Sequence, residues 1–103
     1  MGILSKLFGS KEKVNCLELI ANGAVLIDVR TAQEFEEGHA KGSTNIPLGN
    51  IENSLNGIKE IDEPIVLCCR SGMRSGKATS FLKNKGIENV YNGGSWTNFA
   101  NNN

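Results

Sequence analysis

The sequence predicts an α/β domain with a small central parallel sheet flanked by helices on both faces. Two observations carry that expectation. Residues 24–29 (Ala24-Val25-Leu26-Ile27-Asp28-Val29) and 65–68 (Ile65-Val66-Leu67-Cys68) are near-continuous apolar runs. That is the pattern of strands buried on both faces. Stretches with helical spacing alternate with these runs, and strands interleaved with helices in this way pair in parallel. A length of 103 residues, 39% hydrophobic and 21% charged, suits one core and one domain.

Residues 1–13 read as a flexible lead-in, 14–100 as the domain and 101–103 as a polar tail. The apolar residues among 1–8 are few and Lys6 interrupts them. A secretory core of about 7–15 apolar residues or a membrane span of about 20 is therefore not expected there. Val14 is expected as a short edge strand. Asn15 is a good N-cap for a helix over 16–21, stopped by Gly23, with Cys16, Leu19 and Ile20 on one face. Cys16 is then a small core residue.

Thr31-Ala32-Gln33-Glu34 is a capping-box pattern that starts a short helix through Glu37, ended by Gly38. His39 falls in the loop that follows. Residues 43–46 suggest a short strand stopped by Pro47. Leu48, Ile51, Leu55 and Ile58 are spaced like one helical face, predicting a helix over 48–58. Pro64 opens the strand that delivers Cys69. A helix over 77–83 should bury Ala78, Phe81 and Leu82 and stop at Gly86. Residues 87–91 suggest a last short strand, Gly93-Gly94 a turn, and 95–99 a terminal helix with Trp96 and Phe99 as core.

Eleven basic side chains balance eleven acidic ones. No global field then recruits nucleic acid or an acidic membrane, and any anion preference must be local. Three cysteines are an odd number and make no closed disulfide framework. Neither paired CxxC motifs nor Cys/His clusters suggest a metal. A monomer in the reducing cytoplasm is the expected setting.

The chemistry concentrates in Cys69-Arg70-Ser71-Gly72-Met73-Arg74-Ser75. Here a thiol stands where a buried strand ends and a helix is about to begin. The unpaired N–H groups of a helix start favour anions, and such settings acidify thiols. Ser71 and Gly72 are small enough for the backbone to curl under a bound group. Arg70 lies beside the thiol and is the better candidate for contact with a bound anion. Arg74 either faces that anion or clamps the loop through a carboxylate. Asp28 and Arg30, at the end of the first central strand, are expected to pair and fix the loops there. Strand alternation turns Cys68 to the opposite face, as a buried apolar residue. A vicinal Cys68–Cys69 disulfide would be a minor regulatory state. His39 is expected to hydrogen-bond its own loop, and Lys41, Lys77, Lys83 and Lys85 to be solvated surface.

Three stretches together resemble the rhodanese family of sulfurtransferases. Leu26-Ile27-Asp28-Val29-Arg30, followed by Gly38-His39-Ala40-Lys41-Gly42-Ser43-Thr44-Asn45-Ile46-Pro47, is similar to that family's upstream signature. Residues 69–75 are similar to its active-site loop, and Gly93-Gly94 with Trp96 to its terminal element. The gap between Gly94 and Trp96 is shorter than usual, and Ala40-Lys41 replaces a common apolar-Pro pair. The resemblance implies a rhodanese-like domain and a persulfide relay. Cys69 would attack the sulfane sulfur of a small-molecule donor such as thiosulfate, then yield it to a thiol, protein or cyanide acceptor, with no cofactor.

Two other readings stand beside it. Counted from Cys68, five residues precede Arg74, which is the spacing of cysteine-dependent phosphatases. The glycine that pattern expects three residues after the nucleophile is Ser71, however, whereas counting from Cys69 gives Gly72. The other reading is a non-catalytic binding module of the same fold, which the complete loop argues against.

Overall fold

The computed structural model describes residues 15–100. The lead-in over 1–13, the edge strand at Val14 and the tail lie outside the described residues. Four strands, β1 (Val25–Asp28), β2 (Thr44–Asn45), β3 (Ile65–Cys69) and β4 (Val90–Ser95), pair in parallel in the order β2-β1-β3-β4. The two apolar runs are therefore the two central strands. Every residue of β3 is buried, as a strand covered on both faces must be.

Side-chain alternation divides the core into two layers. Ile27, Val29, Ile65, Leu67 and Cys69 face one side, with Ile51, Ile58, Ala78 and Leu82. Leu26, Val66 and Cys68 face the other, with Phe99, Leu19, Ile20 and Trp96. The first layer is covered by α3 (Leu55–Lys59) and α4 (Met73–Asn84), the second by α1 (Cys16–Ala21) and α5 (Thr97–Ala100). Helices thus cover both faces, as expected.

The caps behave as written in the sequence. Asn15 accepts a hydrogen bond from the Glu18 N–H at 3.1 Å to start α1. In α2 (Ala32–Glu37), Thr31 Oγ1 accepts from the Glu34 N–H at 3.1 Å, and Glu34 Oε1 accepts from the Thr31 N–H at 2.9 Å. Both halves of the capping box are formed.

Four expectations need correction. The single helix over 48–58 is two 3-10 turns, Leu48–Asn50 and Glu52–Ser54, followed by α3. Gly49, Asn50, Asn53 and Ser54 are weak helix formers, so the chain winds tighter and the apolar face survives without one α-helix. Helix α4 begins at Met73, four residues before the expected start, which makes Met73 and Arg74 its first turn. Gly93-Gly94 is not a turn. Both lie inside β4, where the register passes from Leu67↔Asn92 to Cys68↔Gly94 and leaves Gly93 as a bulged residue. Ser95 consequently closes β4, and the last helix starts only at Thr97.

Only glycine fits that bulge. A Cβ on Gly93 would stand 2.7 Å from Val66 Cγ1 and 2.8 Å from Phe99 Cζ. The strand lies directly on the second core layer there, with no room for a side chain.

Candidate active site

Cys69 is the last residue of β3, and α4 begins four residues later. The intervening loop folds over the sulfur. Gly72 makes this possible by taking φ +98°, a conformation L side chains avoid, as N-cap of α4. Its N–H then donates to Cys69 Sγ at 3.0 Å. The Ser75 N–H reaches the same sulfur at 3.4 Å, and Ser75 Oγ lies 3.3 Å from it. The Met73 N–H is taken up by Ser71 Oγ at 3.4 Å.

These donors decide the state of the thiol. Burial pushes the Cys69 pKa up. Hydrogen bonds from the Ser75 hydroxyl and from the Ser75, Gly72 and Ser71 N–H groups outweigh burial and hold it below the ordinary thiol value. Cys68, one residue earlier, meets the opposite environment. Burial in the other core layer, reinforced by the Asp28 carboxylate, pushes its thiol up to about 12. Both cysteines are free and buried. Of the two, only Cys69 has hydrogen-bond donors among the described residues turned toward its sulfur.

The flanking charges are organised in pairs. Arg74 Nη1 and Nη2 donate to Glu34 Oε1 and Oε2 at 2.7 and 3.1 Å. Of the two roles open for Arg74, the geometry takes the clamp through a carboxylate. Arg30 holds Asp28 through Nε and Nη2 at 2.8–3.0 Å, and Nη2 also donates to the Gly38 carbonyl at 2.7 Å. Its guanidinium lies 4.5 Å from the Trp96 ring centroid. The pair is buried, and it fastens the end of β1 to the loop after α2 and to the segment after β4. Arg70 and Met73 are exposed beside the loop, and Ser71 is exposed as well. His39 Nδ1 lies 2.7 Å from the Phe35 carbonyl and its ring stacks on Phe35, so it is tied back to helix α2 and not, as expected, to a loop.

Two polar residues of the site had no role assigned from the sequence: Ser75, named only as the last residue of the stretch 69–75, and Asn92. Ser75, buried in the first turn of α4, faces Cys69 directly. Asn92 on β4 accepts from Ser75 Oγ at 2.6 Å and donates to the Gly72 carbonyl at 3.0 Å. No local signal marked Asn92, because Gly72 and Gly76, the residues its amide approaches, fall before the helix expected over 77–83. Among the described residues no group of three or more His, Cys, Asp or Glu side chains is placed to hold a metal ion. No helix among them is long and apolar enough to cross a membrane.

The arrangement can hold a sulfur anion and use it as a nucleophile. Comparison with known proteins gives the family of the chain. The family model of the rhodanese-like domain matches residues 14–102. The chain is 44% identical over 69 residues to the uncharacterized protein YqhL of Bacillus subtilis, covering 67% of this chain and 54% of that one. It thus spans about half the length of that relative. It is 38% identical over 76 residues to the thiosulfate sulfurtransferase GlpE of Pseudoalteromonas translucida, covering 73% of this chain and 71% of that one. Among solved structures, a rhodanese with anions from E. coli superposes with a TM-score of 0.68 at 26% identity, covering 76% of this chain and 93% of that one.

Proposed function

The chain belongs to the rhodanese-like domain family, and from that membership we propose that it is a sulfurtransferase working through a persulfide on Cys69. The observation that carries this reading is the ring of donors around one sulfur. The Gly72 N–H at 3.0 Å, the Ser75 N–H at 3.4 Å and Ser75 Oγ at 3.3 Å converge on Cys69 Sγ and on no other thiol. A thiolate held in this way is the nucleophile, and it needs no separate base.

The thiolate attacks the sulfane sulfur of a donor such as thiosulfate or a persulfide. A bond from Cys69 Sγ to that sulfur forms. The donor's own sulfur–sulfur bond breaks, and its electron pair leaves with sulfite or thiolate. The cradle then stabilises the terminal persulfide anion through its N–H dipoles. A thiol, a protein cysteine or cyanide next attacks the terminal sulfur, and Cys69 departs as a thiolate. Neither metal nor organic cofactor enters this cycle. Cys69 has 0% exposure, so a donor reaches its sulfur only when the groups that cover it give way.

Arg70 is the anion contact in this reading. It is exposed beside the loop, whereas Arg74 and Arg30 are committed to Glu34 and Asp28. The acceptor is a thiol, small or on a protein, or cyanide, the working unit a monomer, and the compartment a reducing cytoplasm that keeps Cys69 reduced. Leu17 and Met73 are the large apolar side chains left exposed among the described residues, and they sit on different helices.

The test is intact mass after incubation with thiosulfate, glutathione persulfide or polysulfide, with the added sulfur then located by peptide mapping. A gain of one sulfur on Cys69, lost in Cys69→Ser and largely kept in Cys68→Ser, is the expected result. Added sulfur on Cys68 would overturn the assignment. So would an aryl phosphatase activity lost in Cys68→Ser and kept in Cys69→Ser. No sulfur uptake from any donor would favour the non-catalytic binding module.

A further inference from the structure

Ser75 Oγ carries one proton and has two acceptors in reach. Asn92 Oδ1 lies at 2.6 Å and Cys69 Sγ at 3.3 Å. The contact to the amide oxygen is at the short end of the O–H···O range. Against a neutral thiol the hydroxyl therefore donates to Asn92, and its lone pair is left to accept from the Cys69 S–H.

The Asn92 amide is held in place independently of that proton. Nδ2 donates to the Gly72 carbonyl at 3.0 Å, and Oδ1 accepts from the Gly94 N–H at 3.0 Å. The reverse orientation would set the amide N–H groups against the Gly94 N–H, so these partners fix which end faces Ser75. Room for the amide is built into α4. A Cβ on Gly76 would come 3.2 Å from Asn92 Nδ2, and one on Gly72 would come 3.9 Å from it. A glycine inside a helix is less favourable than an alanine, and here the close approach of Asn92 accounts for it.

We infer that Asn92 is a positioning residue for the reacting sulfur, holding the Ser75 proton while Cys69 is a thiol and releasing it to the sulfur when Cys69 ionises. On ionisation the thiol proton leaves to solvent and Sγ changes from donor to acceptor. A hydrogen bond to a charged acceptor is roughly twice as strong as one to a neutral acceptor. The hydroxyl therefore swings to sulfur. Asn92 Oδ1 keeps the Gly94 N–H and is not left empty. When sulfur is loaded, the charge moves one atom outward to the terminal sulfur, and the hydroxyl returns to Asn92. Ser75 thus follows the charge, and Asn92 sets its resting position.

The other groups around the sulfur are accounted for. Arg74, in the first turn of α4, couples to Cys69 and is paired with Glu34 of α2. Asp28 and Arg30 at the end of β1 form their own ion pair. Cys68 is a neutral thiol on the other face of β3. Ser95, opposite Cys69 on β4, carries no charge.

The inference rests on Cys69 as the reacting group, but its test does not use sulfur transfer. The measurement is the pH dependence of iodoacetamide alkylation at Cys69 in the intact protein, read by peptide mapping. Asn92→Ala removes the competing acceptor, so the inflection moves to lower pH. The thiolate fraction on the acid limb rises roughly 2- to 10-fold, the worth of one neutral hydrogen bond. Ser75→Ala removes the donor to the thiolate, so the inflection moves to higher pH, and Ser75→Thr restores it. The double variant titrates like Ser75→Ala alone, because Asn92 acts through Ser75. An inflection raised by Asn92→Ala, or an Asn92 effect that persists without Ser75, would mean that Asn92 only braces the loop and would overturn the inference. Should Asn92→Ala not fold, Asn92→Val removes the same acceptor with a side chain that a strand favours. A lower inflection supports the inference and an unchanged or higher one rejects it. If the protein takes up no sulfur from any donor, the sulfurtransferase reading fails while these titrations still decide the role of Asn92.

Discussion

Arg74 and Glu34 stand forty residues apart in the chain and meet as a two-pronged ion pair, Nη1 to Oε1 at 2.7 Å and Nη2 to Oε2 at 3.1 Å. The same Oε1 also accepts from the N–H and hydroxyl of Thr31. One carboxylate therefore caps α2 and anchors the first turn of α4. The nucleophile loop is thereby tied to the loop that follows β1.

That pair has a pH signature. Hydrogen bonds from Arg74 first, and from Thr31, lower the Glu34 pKa to about 2. An unfolded glutamate takes up its proton near about 4.3. The stabilisation is fully present above the unfolded value and is lost as the pH falls toward the folded one. Side-chain exposures of 33% for Arg74 and 28% for Glu34 mean that salt screens part of it. Glu34→Gln should flatten the pH dependence of the urea midpoint between about pH 5 and pH 2. An unchanged slope would show that the pair adds nothing to stability.

Arg70 is exposed beside the loop, whereas Arg30 and Arg74 are paired with Asp28 and Glu34. If it meets a donor anion, Arg70→Ala weakens use of thiosulfate more than use of a neutral alkyl polysulfide. Arg70 is exposed, so the contact is worth about 1 kcal/mol, or roughly a five-fold loss in kcat/KM. Steady-state rates with the two donors measure it. Equal losses would remove Arg70 from substrate contact.

Gly93 is a test of the bulge. An added methyl would meet Val66 and Phe99 at 2.7–2.8 Å, and the backbone of β4 cannot retreat without breaking its ladder with β3. Gly93→Ala should destabilise the domain by roughly 1–3 kcal/mol, the range for overpacking a core. Chemical denaturation reads it directly. A midpoint equal to wild type would mean that the second core layer yields at no cost.

The parts of the fold that were legible before the structure are those whose signal is local. Thr31 and Glu34 form their box within one turn, and the run from Ile65 to Cys68 cannot be a surface strand. The Leu48, Ile51, Leu55 and Ile58 spacing marked the right face but not the winding, because Gly49 and the Asn and Ser residues around it tighten the backbone into 3-10 turns. Gly93-Gly94 looks identical in sequence whether it turns the chain or bulges a strand. What distinguishes the two is Phe99 returning against Val66, a tertiary fact. Cys69 was legible from its place between strand and helix. Ser75 closed the stretch singled out but had no role assigned, and Asn92 was not singled out, because their partnership exists only once β4 pairs beside β3 and the amide settles over Gly72 and Gly76.

Strand alternation in β3 has a further consequence for how the two neighbouring thiols age under oxidation. The side chain of Cys68 packs with Leu26, Ala40 and Phe99, while that of Cys69 packs with Leu67, Ala78 and Leu82. The sheet between them acts as insulation, although one peptide bond joins the residues. A sulfenic acid formed on Cys69 has no resolving thiol on its own side of the sheet among the described residues, so an outside thiol must restore it. Cys68 is also shielded from the oxidant that reaches its neighbour.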